Sequence, residues 1–162
     1  MDTAAENISG IENAGKNAKT VIRFEEGLYG FQTVKDYVLL QEDDTGTIWS
    51  LQAANGPVPS FIVLNPYTVI GDYSPVLPVS DYEALGSPPE SDLCFLVIAV
   101  IAEQPENTVV NLKSPIVINV KTRVGKQIIM EESDYPVRHR LFSSARNPEK
   151  DGAPAPVKGR SC

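Results

Sequence analysis

The chain has 162 residues, is 42% hydrophobic, and carries 14 basic against 21 acidic residues for a formal net charge of −7. That length suits one domain with its own core, and 13 prolines and 11 glycines placed between short apolar runs exclude a fold of long helices. The acid excess disfavours a phosphate-binding surface, which needs a basic stripe, and no apolar stretch reaches the ~20 residues of a membrane helix.

Residues 1–19 and 143–162 lack hydrophobic periodicity and read as disordered tails around a single β domain over 20–142. The N-terminus has no apolar signal core, so a cytoplasmic protein is expected. Thr20 to Glu25 alternates as a strand, with Val21 and Arg23 against Ile22 and Phe24. Gly27-Leu28-Tyr29-Gly30 is a bend, and Phe31 is expected to seal it against the core. Tyr37 to Gln41 and Thr47 to Gln52 form a hairpin around an acidic loop, with Trp49 half-buried. Ser60 to Asn65 is a strand ended by Pro66. Ser80 as cap, Glu83 three residues on and Gly86 beyond predict a short helix with a capping box. Leu93 to Ala102, the longest apolar run, is a buried central strand.

The β-branched run at Thr108-Val109-Val110 turns through Ser114-Pro115 and resumes at Ile116. Ile116, Ile118 and Val120 share one face, and Val117 and Asn119 the other. Val124-Gly125 is read as a tight turn, with Gln127 to Met130 returning as the second strand of a hairpin. Tyr135 to Ser143 suggests a second short helix. Seven or eight strands with one or two short helices make the chain mainly β, a small antiparallel barrel, split barrel or sandwich.

The chemistry-bearing residues are sparse. His139 alone cannot supply a histidine metal centre, and the pairs Glu25-Glu26, Asp43-Asp44 and Glu131-Glu132 point to opposite faces if extended. Phosphate loops, nucleophile elbows and Cys-x-x-Cys motifs are missing. Neither enzyme activity, a cofactor nor a metal is expected. Cys94 within the apolar strand and Cys162 at the end of the sequence read as unpaired thiols.

Charge is unevenly placed. Asp36 through Leu112 contains no Lys or Arg, whereas Lys113 to Arg140 is predominantly basic. An acidic stretch of this kind serves either solubility or docking of a basic partner. The proline-rich loop with Asp72, Tyr73 and Leu77, followed by Asp81, is a candidate recognition element; its alternative role is to cap the fold. Asn111, Asn119 and Gln127 on the hairpin either contact a partner or bond nearby backbone.

Phe24-Glu25-Glu26-Gly27-Leu28-Tyr29-Gly30-Phe31, Asn65-Pro66-Tyr67, the Thr108–Asn119 segment and Gly125-Lys126-Gln127-Ile128-Ile129, in this order, resemble the flagellar assembly factor FliW family from about Phe24 to Phe142. The resemblance implies a small β-barrel with a chaperone-like role, and the acidic surface an expected monomer when free. It also implies two partners: flagellin, and the RNA-binding translational regulator CsrA, whose repression of flagellin mRNA the protein would relieve. Direct binding to nucleic acid or membrane is not implied. The competing reading is a small β-barrel ligand-binding protein or carboxylate-based hydrolase, which requires a pocket with converging polar groups.

Overall fold

The computed structural model describes residues 20–142. Nine strands occur among the described residues: β1 (Thr20–Phe24), β2 (Asp36–Gln41), β3 (Ile48–Ala53), β4 (Ser60–Leu64), β5 (Leu93–Val100), β6 (Val109–Val110), β7 (Ile116–Asn119), β8 (Val124–Gln127) and β9 (His139–Arg140). Consecutive antiparallel pairs run β1–β2–β3–β4, then β4–β5, β5–β7 and β7–β8. The circuit closes where β8 lies parallel to β1, with Arg23 opposite Val124 and Phe24 opposite Gly125. The result is a closed mixed barrel of seven strands, with β6 and β9 added where β5 runs past the ring. Closure decides between the barrel and sandwich readings, and the single parallel seam is the departure from an all-antiparallel ring.

Strand alternation fills the interior. In β1, Ile22 and Phe24 are buried while Val21 and Arg23 face outward. They meet Tyr37, Leu39, Leu51, Val63, Cys94, Leu96, Ile116 and Ile118. The seam depends on Gly125, because a Cβ there would stand 2.6 Å from Cε1 of the Phe24 ring. This is why Val124-Gly125 belongs to β8 and is not the expected turn. The chain instead reverses through 120–123, with Arg123 at φ 60°. The Asn119 side chain holds that loop by accepting from the Lys121 and Thr122 amides at 3.0 and 3.3 Å.

β5 is buried on both faces. Cys94 and Leu96 point inward, while Leu93, Phe95 and Val97 point into two apolar clusters outside the ring. These clusters are completed by the connection from Asn65 to Pro89 and by Leu112, Met130, Tyr135 and Leu141. Burial on both faces explains the uninterrupted apolar run in β5.

Other expectations differ locally. Pro78 occupies the N-cap of the Val79–Ala84 helix without a side-chain cap bond, so Ser80 lies inside the first turn. Gly86 does end that helix, at φ 90°, with the Ser87 amide donating to the Tyr82 carbonyl. The Tyr135–Ser143 helix is replaced by β9, whose register pairs Val109 with Arg140. Trp49 is buried, not half-buried, and donates from Nε1 to the Gly46 carbonyl at 3.0 Å. Phe31 stays 41% exposed, resting edge-on against Phe61. Cys94 is fully buried in the barrel interior, and Cys162 lies outside the described residues. Both anticipated tails lie outside the described residues.

Candidate functional site

The Asn65–Pro89 connection is a strap laid over the outer face of β5. Its entry is set by Asn65, whose side chain accepts from the Tyr67 amide at 3.0 Å and starts the short Pro66–Val69 helix. Three tyrosine rings then pack in series, the first pair edge-on and the second tilted. The Tyr67 and Tyr73 ring centroids are 5.9 Å apart, and those of Tyr73 and Tyr135 are 4.8 Å apart. The Tyr73 hydroxyl donates to the Leu112 carbonyl at 2.7 Å. The Ser74 amide donates to the Tyr135 hydroxyl at 2.8 Å. Burial, reinforced by the neighbouring Tyr67 and Tyr135, pushes the Tyr73 phenol well above its usual pKa.

Beyond this anchor the strap becomes exposed. Asp72 faces solvent, and Val76 and Val79 are 78% and 71% exposed. The strap returns to the barrel at Leu85, whose carbonyl accepts from the Asn119 amide group at 2.9 Å. A second tie is ionic. The Lys126 ammonium lies 2.9 Å from a Glu26 carboxylate oxygen and 3.5 Å from one of Asp81. Partial burial lowers the Lys126 pKa, but the hydrogen bond and attraction from Glu26, joined by Asp81, outweigh this and hold it above its usual value.

Between strap and barrel runs a groove of about 480 Å³. Tyr67, Tyr73, Leu77, Val79, Tyr82, Leu93 and Phe95 form its apolar walls, and among the described residues Glu90 is the one carboxylate lining it. Every lining residue falls within the interval that has no Lys or Arg. One carboxylate among aromatic and aliphatic walls differs from the carboxylate pair that a carboxylate-based hydrolase would bring together. The groove is suited to receiving apolar side chains at an acidic rim. Among the described residues no group of three or more His, Cys, Asp and Glu is placed to hold a metal ion, and no helix is long and apolar enough to cross a membrane.

The candidate residues from the sequence divide into two sets. Asp72, Tyr73, Leu77 and Asp81 come together on the strap, but with different parts. Asp72 is free at the surface, Leu77 is a half-buried groove wall, Tyr73 is 1% exposed at the groove floor, and Asp81 is occupied by Lys126. Asn111, Asn119 and Gln127 spend their side chains on backbone. Asn111 accepts from the Lys113 and Ser114 amides at 3.1 and 3.0 Å. Asn119 ties its own loop to the strap, and Gln127 accepts from the Tyr29 amide at 3.0 Å. Tyr82, Val79, Glu90 and Phe95 are groove residues that the sequence reading did not single out. The recurrence of tyrosine at 67, 73 and 82 in a proline-rich stretch was the available signal.

Comparison with known proteins agrees with this architecture. The family model described as "FliW protein" matches residues 10–141. The flagellar assembly factor FliW of Geobacillus sp. (strain WCH70) is 38% identical over 130 residues, covering 80% of this chain and 90% of the relative. That of Caldicellulosiruptor bescii is 34% identical over 132 residues, covering 82% and 86%. A crystal structure of the flagellar assembly factor FliW superposes with a TM-score of 0.72 at 35% identity, covering 78% of this chain and 89% of the other. With sequence, barrel and family model in accord over most of its length, the chain belongs to the FliW family of flagellar assembly factors.

Proposed function

We propose that this chain is a non-enzymatic, cytoplasmic assembly factor that binds flagellin and, exclusively of it, a CsrA-type RNA-binding regulator. Bound regulator is withheld from flagellin mRNA. When flagellin accumulates it occupies the protein, the regulator is released, and translation falls. Export of flagellin then frees the protein to capture the regulator again. Such a switch requires that the two partners oppose each other, through overlapping sites or through incompatible states.

Family membership is the observation that carries this reading. The charge layout supports it independently. RNA-binding proteins present basic surfaces, and the strap itself is acidic and contains no Lys or Arg. The test is a titration of flagellin into the preformed complex of this protein with the regulator, followed by size-exclusion chromatography. Stepwise release of free regulator is expected. A stable complex of all three proteins would replace the switch with a scaffold.

A further inference from the structure

We infer that the strap groove receives an apolar side chain from a cationic segment of the RNA-binding regulator, with the acidic rim contacting lysines or arginines beside that anchor. This rests on the function proposed above and assigns one of its partners to one place. Flagellin is left to act from elsewhere.

Three observations converge on it. First, the groove is formed before any partner arrives. Its floor is tied down by the Tyr73–Leu112 hydrogen bond and the contacts among the three tyrosine rings, and the strap's far end by the Asn119–Leu85 hydrogen bond. A segment entering it orders only itself, which keeps the entropy cost of docking low. Second, its volume of about 480 Å³ suits one or a few side chains and not a flat domain face. Third, the charged residue that lines the groove, among the described residues, is an acid. Glu90 lines the groove, while exposed Asp72 and Glu83 adjoin Tyr73 and Tyr82 in the chain. Lys126 is the cation joined to the strap, and Glu26 and Asp81 already engage it. An apolar anchor alone would leave these carboxylates without a role in recognition. A segment pairing the anchor with cations uses both features, and a protein built to hold RNA phosphates is the partner richest in such cations.

The exposed groove-mouth residues permit a test that spares the fold. Binding of the purified regulator and of flagellin is measured for wild-type protein, Val79→Arg, Glu90→Lys and, as a control away from the strap, Glu103→Lys. Thermal melts confirm that each variant is folded. In parallel, fluorescence anisotropy follows a fluorescein-labelled peptide alternating leucine and lysine over six residues, and a counterpart with serine for leucine. Val79→Arg and Glu90→Lys are each expected to weaken the regulator and the leucine peptide at least tenfold. Glu103→Lys should change neither by more than twofold, and the serine peptide should bind at least tenfold more weakly than the leucine peptide. Regulator binding that survives both groove substitutions overturns the inference while leaving the proposed function standing. Loss confined to flagellin overturns the choice of partner. Equal binding of the two peptides removes the apolar anchor. If wild-type protein ignores the regulator yet binds the leucine peptide in a manner abolished by Val79→Arg, the proposed function fails and the groove's chemistry is upheld.

Discussion

Tyr73 is the residue whose role the structure changes most, and Tyr73→Phe isolates the reason. The substitution keeps the ring in place and removes only the hydroxyl that donates to the Leu112 carbonyl inside the apolar cluster. Leaving a buried acceptor without its donor costs about 1–3 kcal/mol. For a domain of this size that lowers the melting temperature by on the order of 5 °C. Tyr73→Ala also removes packing against Tyr67 and Tyr135 and should cost about 3–5 kcal/mol, the range for large aromatic truncations. Fluorescence of buried Trp49 during urea and thermal unfolding reads both variants. The phenol provides a second readout. Its pKa is raised in the folded protein, so above the unfolded value of about 10 the unfolded chain releases a proton that the folded chain keeps. Stability therefore falls as pH climbs beyond about 10. Tyr73→Phe should flatten that alkaline loss without abolishing it, because burial also raises Tyr37. A variant that melts like wild type and keeps the same alkaline slope would refute a structural hydroxyl at this position.

Gly125→Ala should destabilise the barrel by about 1–3 kcal/mol through the clash with Phe24, read as a lower urea midpoint; an unchanged midpoint would mean the seam can breathe. Gln127→Ala removes the acceptor for the Tyr29 amide, and hydrogen exchange should accelerate at Tyr29 more than in β3. Uniform acceleration would show a global effect instead. The Asp43 carboxylate is held below its usual pKa by the Thr45 hydroxyl and then by the Ile48 amide. It contributes stability above pH ~4 that is lost as pH falls through its folded value, so Asp43→Asn should show a shallower acid limb in pH-dependent melts. An identical acid limb in the two proteins would remove Asp43 from the account.

The barrel was largely readable because its walls obey local rules. The alternation of Thr20–Phe24 and the unbroken apolar run of β5 identify strands without knowledge of their partners. Failures arose where a distant residue decides the outcome. Val124-Gly125 looks like a turn until Phe24 arrives from the other end of the barrel. His139–Arg140 is too short to register alone and is a strand because it completes a ladder with β6. The candidate site shows the same division. Asp72 and Leu77 were singled out by loop chemistry, but the carbonyl that claims Tyr73 and the amide that claims Gln127 belong to residues far along the chain. Local composition marks the strap as a candidate; only packing shows which of its residues hold it and which stay exposed.

The parallel seam also sets the order of events at the ribosome. β1 can pair with β2 as soon as both emerge, but its other edge waits for β8, since Arg23 faces Val124. At roughly 5–20 residues per second, that edge stays open for on the order of ten seconds of synthesis. An open strand edge is a template for pairing with other chains, and charge along it is the usual protection. Arg23 and Glu25, joined at 3.2 Å, stand at the end of β1 that meets β8. A nascent chain halted before Gln127 would carry two unmatched edges at once, so stalled products should be sticky intermediates even though the finished ring is sealed.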